Sequence, residues 1–124
     1  MRGADRFQMG KRGESLACRE LRRRGYAIVA TRFRTRLGEL DIVARDGPTL
    51  VFVEVKARSS DRFGSAAESV TSQKRRRLSR MAEEFIARSR LTRVPLRFDV
   101  VAVRWPPRGT PSVEVYPSAF IPGE

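Results

Sequence analysis

The residues of this 124-residue chain best suited to chemistry are Asp41, Glu54 and Lys56. Each interrupts an apolar run, GELDIVARDG from Gly38 or LVFVEVKARSS from Leu50. Charges in a strand core are costly unless something pairs with them. Strand alternation puts Glu39 and Asp41 on one face of the first run, and Glu54 and Lys56 on one face of the second. Carboxylates there outnumber the ammonium, which makes a poor self-contained ion-pair network. A divalent cation relieves that repulsion. Mg²⁺, or Mn²⁺ in its place, takes hard oxygen ligands, commonly one or two carboxylates plus substrate phosphate, and acidifies a water. Lys56 would then orient or deprotonate the attacking water and offset charge developing on the phosphate. The plain alternative is a surface Glu54–Lys56 pair on a half-exposed strand.

Composition narrows the chemistry further. There is no histidine and only one cysteine, Cys18. That removes His-based nucleases, Ser-His-Asp triads, an internal disulfide and multi-cysteine zinc sites. Lysine and arginine number 26 against 14 acidic residues, a formal net charge of +12. A polyanionic partner follows, with nucleic acid, and DNA in particular, as the leading choice. Lys11, Lys56 and Lys74 are the only lysines; the other basic residues are arginine. Arginine cannot replace a compact ammonium that must shift its pKa, which favours a chemical role for Lys56. No apolar run approaches the roughly 18 residues of a membrane span, and no apolar stretch follows the basic N-terminus, so a cytoplasmic protein is expected.

The elements that must hold these residues are legible from periodicity. Residues 1–124 are expected to form one domain, with 1–6 as a flexible tail. Residues 7–24 read as a helix with Gly10, Gly13, Glu14, Ala17 and Leu21 on one face, ended by Gly25. Strands are expected over 26–35, 37–45 and 49–58, a loop over 59–69, and a helix from Thr71 or Ser72 to about residue 90. Leu78, Met81, Ala82, Phe85 and Ile86 form the apolar stripe of that helix. Further strands follow at 96–105 and 113–116, giving an α/β domain with a mixed central sheet. Asp46-Gly47 signals a hairpin. A two-residue turn there sets Asp41 opposite Phe52, diagonal to Glu54. A four-residue loop sets Asp41 directly opposite Glu54, and a three-residue loop separates them.

Asp41, then twelve residues, then Glu54-Val55-Lys56, resembles the PD-(D/E)xK nuclease superfamily. The wider set is similar to the YraN family of bacterial proteins: G-x-x-G-E ending at Glu14, Gly25-Tyr26, GELDIVARDG, LVFVEVKARSS, Arg62-Phe63-Gly64, Lys74 with its helix, and RFDVVAV. The resemblance implies a restriction-endonuclease-like αβββαβ core flanked by helices and an activity related to Holliday-junction resolvases. It implies Asp41, Glu54, the Val55 carbonyl and Glu14 as metal ligands, with Lys56 as the catalytic lysine. Thr31 stands where the family usually carries Asn, and the leading Pro of the superfamily motif is absent.

The expected function is a Mg²⁺- or Mn²⁺-dependent endonuclease acting on DNA, with branched or structured DNA in repair or recombination as a candidate substrate; the resemblance implies a 5′-phosphate and a 3′-hydroxyl as products. The alternatives are a non-catalytic nucleic-acid-binding protein on a nuclease-like scaffold and an RNA- or ribosome-associated basic module. A symmetric junction would suit a homodimer. Arg58, Lys74, Arg75 and Arg76 are the candidates for the nucleic-acid backbone; the run from Lys74 reads equally as a solvated helix face. Glu39 and Lys74 are candidate auxiliaries of the site. Glu14 reads equally as a capping or solvated acid. Arg22, Arg23 and Arg24 suit a helix C-terminus. Phe33 and Phe63 could stack on bases or pack in the core. Asp99 reads as structural, pairing an arginine.

Overall fold

Continuous apolar runs make the central strands of this protein, because both faces of the sheet are covered, and glycine and proline mark its turns. The computed structural model describes the backbone of residues 3–58 and 70–120, and the side chains of residues 11–57 and 70–120. In chain order it contains α1 (Gly3–Arg23), β1 (Ala27–Thr35), β2 (Gly38–Asp46), β3 (Thr49–Arg58), α2 (Ser72–Arg88), β4 (Leu96–Arg104) and β5 (Ser112–Phe120). The strands form one sheet in the order β1-β2-β3-β4-β5. β3 and β4 are parallel and the other neighbours antiparallel. This is the expected α/β fold with a mixed sheet, its αβββαβ order extended by β5. α1 begins earlier than periodicity suggested and takes in residues 3–6 of the expected tail. No helix among the described residues is long and apolar enough to cross a membrane.

The two helices cover opposite faces. Val51 and Val53 of β3 join Ile42, Ala44, Val101 and Val103 in one cluster with Ala17 and Leu21 of α1. Leu50 and Phe52 point the other way, into a cluster with Phe98, Val100 and the α2 stripe of Leu78, Met81, Ala82 and Phe85. Phe33 lies edge-on to Phe85, with ring centres 4.9 Å apart, so it is a packing residue. α1 ends in a Schellman motif. Gly25 takes φ 94°, its N–H donates to the Arg22 carbonyl, and the Tyr26 N–H donates to that of Leu21. Glu20 pairs with Arg23 and Arg24 in the same last turn. α2 starts where Thr71 Oγ1 accepts the Lys74 N–H at 3.2 Å, a side-chain N-cap.

Asp99 anchors the edge of the sheet. It is fully buried and accepts from Arg97 Nε at 2.9 Å, from the Tyr26 hydroxyl at 3.1 Å and from the Ser118 N–H at 3.0 Å. Arg97 also reaches Asp46 and the Tyr26 hydroxyl. The Ser118 contact explains why β5 runs to Phe120 and past Pro117, further than expected. Pairing with β4 shifts between Phe98 and Val100, and the Asp99 carboxylate takes up the N–H that this irregularity frees. Burial and the Asp99 charge push the Tyr26 phenol up to about 12, so it stays a donor. Asp99→Ala would leave the Ser118 N–H and the Tyr26 hydroxyl without this acceptor and leave Arg97 with Asp46 as its remaining carboxylate. It is expected to destabilise the fold by about 2–4 kcal/mol in urea unfolding, and a loss below about 1 kcal/mol would show the network to be dispensable.

Candidate active site

The hairpin between β2 and β3 sets the site. It turns on Gly47 and Pro48, with Asp46 opposite Thr49 and Ile42 opposite Val53. Gly47 takes φ 60°, the positive angle a tight hairpin needs, while the Pro48 ring holds its own φ negative. The turn therefore lies one residue beyond the Asp46-Gly47 position expected. That moves the register by two and aims Asp41 at Glu54 instead of Phe52, the pairing expected only of a four-residue loop. The recorded ladder stops at Ile42. Beyond it a side chain takes over, because Asp41 Oδ2 accepts the Val55 N–H at 2.9 Å.

Alternation slips at this point on two strands at once. Leu40 packs with the α2 cluster and Ile42 with the α1 cluster, although they are two residues apart. Across β1, Ala30 and Phe33 both reach the α2 side. Between them Arg32 takes the left-handed φ of 51°, and the pairs Thr31–Ile42 and Phe33–Leu40 bracket Arg32 against Asp41. The slip also parts Glu39 from Asp41. Glu39 is exposed and pairs with Arg34, its cross-strand neighbour, at 3.0 Å. The single face expected for Glu39, Asp41, Glu54 and Lys56 thus holds for the last three and loses Glu39.

Glu54, on the α2 side of β3, is held by two ammonium groups. Lys74 Nζ lies 2.9 Å from Glu54 Oε1, and Lys56 Nζ lies 4.0 Å from the same oxygen. All three side chains are largely covered, with 12% of Glu54, 22% of Lys56 and 27% of Lys74 exposed. Burial first, and the Glu54 charge second, push the Asp41 carboxyl up to about 7; the Val55 N–H and Lys74 oppose this. Burial and then hydrogen bonding with Lys74 pull Lys56 down to about 8. Burial pulls Lys74 down too, but its hydrogen bonds to Lys56 and Glu54 outweigh that and hold it above the ordinary lysine value. Lys74 is therefore the fixed cation, and Lys56 is the lysine able to give up its proton near neutral pH.

The other expected site residues divide. Glu14 on α1 stands near enough to raise Asp41 by its charge, yet its carboxylate is engaged by Arg32 Nε at 3.1 Å. Among the described residues, no group of three or more acid, cysteine or histidine side chains is gathered for a metal. Asp41 and Glu54 would be the protein's own carboxylate ligands, and Val55, expected as a carbonyl ligand, contributes its N–H to Asp41. Such a pair of hard oxygen donors fits Mg²⁺, which keeps several waters and takes substrate phosphate. Arg75 turns its Nε back to the Val70 carbonyl at 2.9 Å and stands over the Phe120 ring, so packing engages it. Arg76 is exposed on α2. The Arg58 side chain, Arg62 to Gly64 and Phe63 lie outside the described residues. Sequence reasoning named Lys74 both as a phosphate contact and as an auxiliary of the site, without naming Glu54 as its partner. It also missed Arg32, whose only signal was a basic residue opposite Asp41.

Comparison with known proteins agrees with the motif reading. The model of "Uncharacterised protein family UPF0102", the YraN family, matches residues 13–103. A UPF0102 protein of Geotalea uraniireducens is 44% identical over 117 residues, covering 94% of this chain and 92% of its own. One of Geobacter metallireducens is 45% identical over 112 residues, covering 90% and 91%. One of Frankia alni is 47% identical over 112 residues, covering 90% and 93%.

The raised Asp41 pKa has a defined sign in stability. Between pH 4 and 7 the folded protein binds the Asp41 proton more tightly than the unfolded chain, so this group makes stability fall as pH rises. Lys56 acts oppositely, its penalty being present below pH 8 and relieved between there and about 10.5. In chelator-treated buffer, Asp41→Asn is expected to gain about 2–4 kcal/mol on wild type between pH 4 and 7.5. Urea unfolding across that range reads it, and parallel profiles for the two proteins would refute the buried-charge account of Asp41.

Proposed function

Since this chain belongs to protein family UPF0102, whose name states no activity, we propose from its site that it is a metal-dependent endonuclease hydrolysing DNA phosphodiester bonds. The observation that carries this is the convergence of Asp41, Glu54 and Lys56 on one half-buried patch, with Asp41 pushed up to about 7 by burial and its acidic neighbour. Burial and the neighbouring Glu54 both disfavour the Asp41 charge, and a divalent cation between the two carboxylates would relieve that. A bound Mg²⁺ or Mn²⁺ would supply a Lewis acid for phosphate oxygens and acidify a water. Asp41 and Glu54 would hold it, Asp41 being fixed in orientation by the Val55 N–H. Lys56, drawn down to about 8, has the proton affinity to receive a proton from an attacking water near neutral pH. Lys74 keeps a positive charge beside Glu54 and would meet a phosphate oxygen of the substrate. The net charge of +12 suits a polyanionic substrate.

A scaffold without catalysis is the second reading. It is favoured by one observation, the Lys74–Glu54 ion pair, which already neutralises one of the two carboxylates. The two readings part in a cleavage screen over duplex, single-stranded, flap and four-way-junction DNA with Mg²⁺ or Mn²⁺, beside titration of the metal by calorimetry. The expected result is cutting that Lys56→Ala lowers by at least about 100-fold, and metal binding that Asp41→Asn and Glu54→Gln abolish. Folded protein that binds DNA without cutting it would move the assignment to the scaffold. Metal binding that survives both carboxylate variants would remove the proposed site.

A further inference from the structure

A second basic feature lies across the sheet from Lys56. An open groove of about 700 Å³ runs between the outer side of α1 and the β4–β5 connection, lined by Lys11, Arg12, Ser15 and Arg19 with Thr110 and Pro111 opposite. No acidic residue lines it, and among the described residues no ion pair engages Lys11, Arg12 or Arg19. Lys11, Arg12, Ser15 and Arg19 are exposed. Arg12 is the one held in place, its guanidinium 4.8 Å above the Trp105 ring. Such stacking orients a guanidinium while leaving its N–H edges free for an anion.

We propose that this groove is a binding track for the sugar-phosphate backbone of duplex DNA, separate from the Asp41–Glu54–Lys56 site. Spacing and charge both support a backbone ligand. Lys11 and Arg19 stand eight residues apart on α1, about 12 Å of helix, over which one strand of duplex presents about three phosphates. Lys11, Arg12 and Arg19 supply three cations for them, and Ser15 a hydroxyl between. The groove is lined by cations, hydroxyls and aliphatic groups, with no aromatic ring, Asn or Gln among its lining residues, so the phosphate backbone is the ligand its charge suits. It opens at the end of the sheet that carries Lys56. A Cβ on Gly13 of α1 would lie 3.5 Å from Ala57, the residue after Lys56, and Ser112 beside the groove pairs with Arg104 at the same end. The inference rests on the nuclease reading for the identity of the polyanion, but not on any step of the chemistry.

Trp105 is the only tryptophan of the chain, so the groove carries its own reporter. The experiment titrates a 20-base-pair duplex into the full-length protein in chelator, where cleavage cannot occur, and reads Trp105 emission and DNA anisotropy over a salt series. The expected result is a saturable change in emission. Lys11→Ala/Arg19→Ala should weaken binding about tenfold and lower the slope of log affinity against log salt by about two. Arg90→Ala/Arg93→Ala, which removes the same charge from the α2–β4 connection at the other end of the sheet, should change both far less. Thermal melts confirm that the variants fold; should the Lys11/Arg19 double variant not fold, Lys11→Gln and Arg19→Gln are read singly. Equal losses from both double variants, or silent Trp105 emission during binding, would overturn the groove. Cleavage by wild type that dies in Lys56→Ala, with no groove effect, would leave the nuclease reading standing and the groove refuted. Normal groove binding without cleavage would do the reverse.

Discussion

The Asp41 carboxylate that accepts the Val55 N–H is the contact on which the site's geometry depends. β2 and β3 pair through Ile42 and Val53, and at the next step this side chain stands in for a backbone carbonyl. One of its oxygens is thereby fixed against β3, one residue from both Glu54 and Lys56. A backbone N–H that would otherwise be left unpaired is satisfied, and a carboxylate is held beside another carboxylate. The backbone pairing of the two strands ends at this step, at Ile42 and Val53.

Around that contact the fold treats its buried charges in two ways. Asp99 is surrounded by donors: a guanidinium, a phenol and a backbone N–H. Its negative charge is fully answered, and it serves the fold. Asp41 has one backbone donor and an acidic neighbour, so its charge is only partly answered and its carboxyl rises to about 7. The difference separates a structural carboxylate from one poised for a cation. The lysines divide similarly, with Lys74 bound to Glu54 and Lys56 left as the more easily deprotonated of the two.

Much of this arrangement could be read from residue order. The bounds of β3 are those expected, because TLVFVEVKAR is a β-branched and aromatic run flanked by turn and loop residues. The Thr71 cap and the α2 stripe were legible as well, since both depend on spacing within one helix. The end of β5 was not. Its path past Pro117 depends on Asp99, nineteen residues earlier, taking the Ser118 N–H. The place of Glu39 was misjudged because strict alternation was assumed through Asp41. The slip there is shared with Arg32 on the neighbouring strand, and no local pattern announces it.

The amino-acid sequence by itself determined the residue types available for chemistry, the order of the elements and the face of β3 that carries Glu54 and Lys56. These follow from composition and from periodicities of two and of 3.6 residues, which are local properties of the chain. Only the tertiary structure decided which charges meet. It placed the turn at Gly47 and Pro48, gave Glu14 to Arg32 and Glu54 to Lys74, and set α1 so that its basic outer side faces the β4–β5 connection. Each of these depends on elements far apart in the chain arriving at one place. A contact of that kind is fixed by packing across the sheet, and no spacing within a single segment encodes it.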